Sequence, residues 1–275
     1  MKIQYLGTAA AEGIPALFCH CDTCKNATSL GGKNLRTRSQ ALVDGELLID
    51  WNADTLSHAQ RFGLDLAAID ALLITHVHSD HLYTEDFDMR IPGFAHLNNC
   101  KRLKIYGSED INNKFPPSAV NTADPYGISV NIVKPFKPFK TGRHTVTALK
   151  ATHGTDNPYI YIIESDGKKL LYAHDTGLLP EESYNYIKDN KIVFNMISLD
   201  CTEGIKPIGY EAHMNFERCR YVAESFKKDG IINDDTVKLL NHFSHNGGRI
   251  LYDDMTAAVK EYAFEVSYDG MIVEF

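Results

Sequence analysis

The amino-acid sequence predicts an α/β fold in which two mixed β-sheets pack face to face and helices lie on their outer sides. Short apolar runs with the length and composition of buried strands recur along the whole chain. These runs first cluster and then mix with amphipathic segments, and this order occurs twice. No linker, repeat or low-complexity tract divides the chain, and its 275 residues are close to the ~250 that one α/β domain can reach. We therefore expect a single domain over residues 1–275.

The first half of the chain contains a series of strands and one helix. Continuous apolar character or alternation identifies the strands, and Gly45 marks a turn between two of them. We expect strands over residues 2–6, 39–44, 46–50, 68–75, 104–106 and 131–133. The helix is expected over residues 53–62.

The second half contains longer strands, several of which end in His or Asp. We expect strands over residues 144–152, 158–165, 168–175, 191–200 and 237–245, and helices over 215–228 and near 253–261. The last segment, 263–275, has two short apolar runs around Asp269 and Gly270. Because Asp-Gly is a typical hairpin turn, this segment predicts a terminal β-hairpin.

The least regular part of the chain is the stretch from Asn112 to Lys140. It contains five prolines and few periodic apolar positions. Irregular stretches of this length inside a compact domain are often functional. We interpret residues 112–140 as an insertion or a lid.

The charge balance argues against a nucleic-acid partner. With 28 basic and 36 acidic residues, the net charge is −8 with neutral histidines, which is the reverse of the basic footprint of a nucleic-acid binder. No apolar run approaches the ~20 residues of a membrane span, and the N-terminus lacks the apolar core of a signal peptide. We therefore expect a cytoplasmic protein with no membrane partner. The oligomeric state stays open, a homodimer included.

The strongest functional signal is the segment THVHSDH, which directly follows an expected buried strand. His76 and His78 are two residues apart and so point the same way at the strand end. Asp80 and His81 fall in the turn beyond, where they can face a second ion. Imidazole and carboxylate groups suit zinc, manganese or iron. The spacing therefore predicts a metal site.

Three further candidate ligands end other expected strands. They are His153, Asp175 and His242. A single His at a strand end is more often structural, but these three combine with the first cluster. Two neighbouring cations also need an anion between them to offset their repulsion, and a carboxylate can supply it.

The cysteines form a second cluster. Cys19, Cys21 and Cys24 lie within six residues. In a chain without a secretion signal, this spacing favours a shared metal over three separate disulfides.

These motifs resemble the metallo-β-lactamase superfamily. The order His-x-His-x-Asp-His, followed by a distant His, an Asp and a final His, is similar to that of its members. The resemblance implies an αββα four-layer sandwich of two mixed sheets, with a dinuclear metal site at one edge. It also implies the following ligands: His76, His78 and His153 for one metal, Asp80, His81 and His242 for the other, and Asp175 as the bridge. Asp50 would orient a ligand from outside this set.

Residues 7–15, GTAAAEGIP, and the Cys-x-Cys-x-x-Cys motif after them resemble the PhnP-type phosphodiesterases. In that family the three cysteines join a His that lies three residues after the last catalytic ligand. The resemblance therefore implies a structural zinc held by Cys19, Cys21, Cys24 and His245.

The same resemblance implies a hydrolase that cleaves a small phosphodiester, cyclic ones included, with a hydroxide activated by two divalent metals, zinc or manganese. By motif, His213 would be the general acid, and Asp200 would orient it. Asp80 would serve catalysis as a metal ligand. His174 has no such assignment, and strand alternation points it away from Asp175.

Other functions remain open at this point. The chain could be a tRNase Z-like ribonuclease or another ester, thioester or lactone hydrolase of the superfamily. From a different class, it could be a metal-binding sensor without turnover. A fold-level resemblance predicts the architecture better than the substrate.

Overall fold

The predicted sandwich of two mixed sheets is confirmed. The computed structural model describes residues 1–91, 93–97, 100–115, 117, 120, 127–207, 210–248 and 250–275. Within these residues, two seven-stranded sheets contain both parallel and antiparallel pairs.

The first sheet is built mainly from the N-terminal half of the chain. In chain order its strands are β1 (Lys2–Gly7), β2 (Gln40–Val43), β3 (Leu47–Ile49), β4 (Ala71–Leu73), β5 (Leu103–Gly107), β6 (Ile128–Ile132) and β14 (Ile272–Glu274). Their spatial order is β14-β1-β2-β3-β4-β5-β6. The C-terminal strand thus forms the edge beside β1.

The second sheet takes the rest of the strands. They are β7 (Phe139–Thr141), β8 (His144–Lys150), β9 (Tyr159–Ser165), β10 (Lys168–Ala173), β11 (Met196–Asp200), β12 (Val237–Asn241) and β13 (Glu265–Val266). Their spatial order is β13-β12-β11-β10-β9-β8-β7.

Five α-helices lie in the described residues. They are α1 (Asp22–Leu30), α2 (Thr55–Phe62), α3 (Glu181–Asp189), α4 (Phe216–Lys228) and α5 (Tyr252–Val259). The expected helices correspond to α2, α4 and α5, whereas α1 and α3 were not predicted. The first of these buries Cys24 and Ala27, and the second buries Ser183 and Ile187. None of the helices described is long and apolar enough to span a bilayer.

Three apolar clusters define the layers. One lies between the sheets and contains residues of both, such as Tyr5 and Tyr161. A second joins the second sheet to α3, α4 and α5 and includes Ile187, Phe226 and Met255. The third covers the outer face of the first sheet. The outer apolar residues of each sheet are thus removed from water, which is the main stabilising contribution in such a sandwich.

The predicted C-terminal hairpin is wrong. β13 pairs in parallel with β12 of the second sheet, whereas β14 pairs antiparallel with β1 of the first. The side chain of the turn residue Asp269 instead accepts hydrogen bonds from Thr8, which follows β1, and from Thr37, which precedes β2. The segment therefore crosses between the sheets, and each short strand pairs with the edge of a sheet instead of with its sequence neighbour.

The irregular stretch 112–140 supplies one edge strand to each sheet in its described part. β6 completes the first sheet and β7 completes the second. Its interpretation as an insertion or a lid stays a prediction, because positions 116, 118–119 and 121–126 lie outside the described residues.

Candidate metal centre

The predicted ligands follow the carboxyl ends of strands that run in the same direction. β10, β11 and β12 pair in parallel, and β9 reverses direction between β10 and β8. β3 and β4 of the first sheet also pair in parallel. The structure brings the seven predicted dinuclear ligands together at this edge: His76, His78, Asp80, His81, His153, Asp175 and His242.

Three imidazoles form the first group of ligand atoms. Nδ1 of His78 lies 2.9 Å from Nε2 of His76 and 3.2 Å from Nε2 of His153. Three ring nitrogens that face one point cannot all be satisfied by hydrogen bonds to each other. Their arrangement suits one cation.

The second group combines two imidazoles with two carboxylates. Nε2 of His81 lies 3.2 Å from Asp80 Oδ2 and 2.6 Å from Asp175 Oδ2. Nε2 of His242 lies 2.8 Å from the same Asp175 oxygen. A second cation can therefore be held between Asp80, His81 and His242.

Asp175 faces both groups with different oxygens. Its Oδ2 contacts His81 and His242, whereas its Oδ1 lies 3.5 Å from Nε2 of His153. This is the arrangement that a bridging carboxylate requires.

Hydrogen bonds behind the ligands select the ring nitrogen that faces the centre. Nδ1 of His81 lies 2.8 Å from Asp50 Oδ2, and Nδ1 of His242 lies 2.8 Å from Thr202 Oγ1. Nδ1 of His153 lies 3.3 Å from the Ala212 carbonyl oxygen. In each ring Nδ1 is occupied, so Nε2 keeps the lone pair that a metal needs.

Buried side-chain atoms without hydrogen-bond partners indicate that the two ligand groups suit divalent cations. Nε2 of His81, Oδ2 of Asp175 and Nε2 of His242 are buried without a properly oriented hydrogen-bond partner, although they lie close together. Buried polar atoms without partners are costly. Among the described residues, the ion-pair partners of Asp50, Asp80, Asp175 and Asp200 are histidines. Bound cations would balance these carboxylates.

The protonation states of the ligands follow from burial and mutual charge. Burial raises the pKa of Asp175, but His242 and His81 outweigh it and hold the pKa well below its usual range. Burial lowers the pKa of His76. Burial also lowers the pKa of His81, but the carboxylates of Asp175 and Asp80 outweigh it and raise the pKa. A cation at Nε2 of His81 would replace that proton.

Three residues of the centre have left-handed backbone conformations. The φ angles are 64° at Asp50, 49° at Asp175 and 64° at His242. Such conformations cost roughly 1–3 kcal/mol for a residue other than glycine and persist only where the surroundings impose them. They occur immediately after β3, close after β10 and immediately after β12, where they break the strand alternation that would otherwise direct these side chains.

His213 stands beside the ligands with a carboxylate behind it. Its Nδ1 lies 3.0 Å from Asp200 Oδ2, and Asp200 is fully buried. Burial lowers the pKa of His213, but the Asp200 carboxylate outweighs it and raises the pKa to about 9. Because Nδ1 is held by Asp200, Nε2 is the nitrogen available to a substrate.

The cysteine cluster forms a separate group at the start of α1. Nδ1 of His245 lies 3.6 Å from Cys19 Sγ and 3.4 Å from Cys21 Sγ, and Cys24 belongs to the same group. Cys21 is the N-cap of α1. A hydrogen bond from the Cys24 backbone and one from His245 lower the pKa of Cys21 to about 6. A thiolate at this position suits a metal.

A cavity of about 330 Å³ opens onto the two ligand groups. Besides predicted residues, its lining includes Glu12, Thr202, Tyr210 and Ser244, which sequence reasoning did not select. Ser244 lies between His242 and His245, and Glu12 lies in residues 7–15, so both were near a recognised motif. Tyr210 had no local signal.

The buried His174 lies outside the ligand groups. Its Nε2 contacts Ser198 Oγ at 2.7 Å in the space between the sheets.

The chain matches one protein-family model over most of its length. The model is described as a beta-lactamase superfamily domain, and the match covers residues 46–232. This range includes six of the seven predicted ligands, with His242 beyond its end.

Two solved structures are similar over essentially the whole chain. A diphosphatase from the PhnP family is 21% identical with a TM-score of 0.76, covering 100% of this chain and 97% of that one. The Zn(2+)-bound PqqB from Methylobacterium extorquens is 20% identical with a TM-score of 0.77, covering 100% of both chains. At these identities the similarity shows the fold.

A curated relative is named octanoyltransferase and comes from Porphyromonas gingivalis (strain ATCC BAA-308 / W83). It is 28% identical over 164 residues, which are 56% of this chain and 31% of the relative. The chain thus spans about a third of the length of this relative.

Proposed function

Because the chain belongs to the beta-lactamase superfamily, we propose that it is a metal-dependent hydrolase of small phosphodiesters. The observation that carries the proposal is the convergence of two ligand groups on the two oxygens of Asp175, beside the Asp200-supported His213. This combination would accommodate two cations and a proton donor beside one cavity.

The residues that would hold the cations are the seven already described, with Asp175 between the two groups. Imidazole and carboxylate donors in this mixture suit zinc or manganese. When bound, two such ions supply Lewis-acid activation of water and neutralise charge on phosphoryl oxygens.

His213 would act on the leaving group. With Nδ1 held by the Asp200 carboxylate, the imidazolium can give a proton from Nε2 to the departing oxygen. Before this transfer, the Asp200 carboxylate stabilises the charge of the imidazolium and fixes the orientation of the ring. This contribution matters most for leaving groups that are poor as anions.

The cavity and its charge favour a small substrate. Its volume of about 330 Å³ is at the lower end of ligand sites. No Lys or Arg occurs in its lining as far as the chain is described, so side chains there offer no cation to a long phosphate backbone. The net charge of −8 opposes a polyanionic partner as well. The ribonuclease alternative is therefore disfavoured.

The Cys19, Cys21, Cys24 and His245 group would hold a third, structural zinc. Four protein ligands complete a tetrahedral set and leave no open position for substrate. The site would tie residues 8–19 to the end of β12, next to the cavity.

The test is hydrolysis of bis-p-nitrophenyl phosphate by protein stripped with a chelator and reloaded with zinc or manganese. We expect activity only in the reloaded protein and its loss in Asp80→Ala and Asp175→Asn. The matched control is Asp234→Asn, since Asp234 pairs with Lys227 on the exposed surface away from the cavity. A metal-loaded protein without turnover on any ester would favour a sensor and refute the proposal.

A substrate panel separates the remaining hydrolase alternatives. It contains small cyclic phosphates, dinucleotides, diphosphates, p-nitrophenyl acyl esters, lactones and precursor tRNA. Diphosphates are included because a structural relative is named a diphosphatase. Higher kcat/KM on acyl esters, lactones or precursor tRNA than on small diesters would overturn the substrate class.

A further inference from the structure

A buried histidine and a buried asparagine lie directly before two of the candidate ligands. His174 precedes Asp175, and Asn241 precedes His242. Both side chains are at most 1% exposed. Neither lines the cavity or belongs to a ligand group.

These two residues bind each other although their strands are not neighbours. β11 lies between β10 and β12 in the second sheet. The side chains of His174 and Asn241 nevertheless meet, with Asn241 Nδ2 3.1 Å from His174 Nδ1. The contact spans the width of β11 on the face that lies between the sheets.

The surrounding hydrogen bonds allow one arrangement of donors. Ser267 Oγ donates to Asn241 Oδ1 at 2.5 Å, which leaves the Asn241 amide to donate to His174 Nδ1. His174 then carries its proton on Nε2 and donates to Ser198 Oγ at 2.7 Å. The donors and acceptors of the His174–Asn241 pair are thereby matched.

The same network reaches the first sheet. Tyr5 in β1 donates to Ser198 Oγ at 2.7 Å, and Asn241 Nδ2 lies 3.3 Å from Oγ of Ser39, the residue before β2. The ends of β10 and β12 are therefore held relative to each other and to the opposite sheet.

The left-handed backbone at Asp175 and His242 makes this restraint consequential. Each residue departs from strand geometry next to a side chain of the pair, with φ angles of 49° and 64°. Their metal-facing atoms lie 2.8 Å apart. A small shift of either strand end would change that distance directly.

We infer that His174 and Asn241 are positioning residues that set the separation of Asp175 and His242 for cation binding. The inference rests on the metal centre of the proposed function but not on its substrate. The pair acts through the ligands, as outer hydrogen-bonding partners do in metal sites.

The test measures metal affinity rather than activity. Metal-free protein is titrated with Co²⁺ in competition with a chelator. The visible absorption of the His/carboxylate centre is followed separately from the thiolate band of the cysteine site. The variants are His174→Phe, Asn241→Leu and the double variant. Thr236→Val is the control, since it removes a buried hydrogen bond at the other end of β12.

We expect each single variant to weaken binding at the dinuclear centre about 10- to 100-fold, with the cysteine site unchanged. The double variant should lose little more than either single variant, because both remove the same hydrogen bond. Thr236→Val should lower stability without changing Co²⁺ affinity. If His174→Phe does not fold, Asn241→Leu carries the same comparison against Thr236→Val.

Unchanged Co²⁺ affinity in a folded single variant would overturn the inference, as would fully additive losses in the double variant. If wild-type protein binds both ions but hydrolyses no diester, the proposed function fails while the positioning role stands.

Discussion

Replacing Asp50 by Asn tests how the protein selects the metal-facing nitrogen of a ligand. Asp50 is fully buried and accepts hydrogen bonds from the Thr75 backbone (2.8 Å), the Thr75 hydroxyl (2.9 Å) and His81 Nδ1 (2.8 Å). Asn has the same shape and tolerates the left-handed conformation at this position. Asp50→Asn therefore keeps the shape of the side chain but replaces one carboxylate oxygen by an NH₂ group and removes one negative charge.

The expected effect on metal affinity follows from the number of hydrogen-bond donors that would face each other at this position. In Asp50→Asn, Oδ1 can still accept from the Thr75 backbone, but the new NH₂ group faces Nδ1–H of His81. The conflict is relieved only if His81 moves its proton to Nε2, which removes the lone pair that faces the metal. We expect about 10- to 100-fold weaker binding of the ion held by His81. The stability of the metal-free protein should change by no more than about 1–2 kcal/mol.

Asp50→Ala should behave differently. It leaves the three donors without a partner, at about 1–2 kcal/mol each, so the loss of stability is roughly 3–6 kcal/mol. Urea unfolding of metal-free protein measures this difference, and a competition titration measures the affinities. The control is Asp269→Asn, a buried carboxylate that accepts from Thr8 and Thr37 and contacts no predicted ligand.

Two results would refute the reasoning. One is an Asp50→Asn protein that binds both ions as tightly as the wild type. The other is an equal loss of affinity in Asp269→Asn, which would indicate a general effect of removing a buried charge.

Three further predictions address other parts of the molecule. Cys21→Ser should reduce the metal content by about one ion and lower the melting temperature while the dinuclear ions remain; an unchanged metal content would contradict the structural site. Asp200→Asn should reduce kcat about 10²-fold or more for diesters with alkoxide leaving groups, through the loss of support for His213, and much less for p-nitrophenolate; equal losses on both would argue against a general acid. Burial lowers the pKa of His58 from 6.5 to about 4. The contribution of His58 to the stability of the metal-free protein should therefore be complete above pH 6.5 and fall by up to about 3 kcal/mol as the pH falls toward 4. Urea unfolding of His58→Gln should show a smaller loss of stability over this range, and a pH dependence identical to that of the wild type would refute this origin.

Local signals in the sequence predicted which side chains lie close together. His76, His78, Asp80 and His81 lie within six residues after an apolar strand, and the structure brings them to the two ligand groups. The cysteine cluster is similarly compact. Spacing alone is informative in such segments because the strand period determines which side chains share a face.

The prediction from the sequence was wrong where strands pair with partners that are distant in the chain. Residues 263–275 contain two apolar runs around Asp-Gly, but β13 and β14 belong to different sheets. A run of apolar residues shows that a strand is buried and says nothing about which edge it joins. That choice depends on the open edges left by β12 and β1, which only the assembled sandwich provides.

The sequence by itself thus determined which residue types can act as ligands and in what order their motifs occur. It could do so because coordination chemistry limits which side chains bind a cation. The tertiary structure decided which atoms face the centre. The left-handed backbone at Asp175 and His242 and the contact of His174 with Asn241 across β11 arise from packing between strands far apart in the chain. No local pattern encodes them, because their stabilising partners are neighbours in space alone.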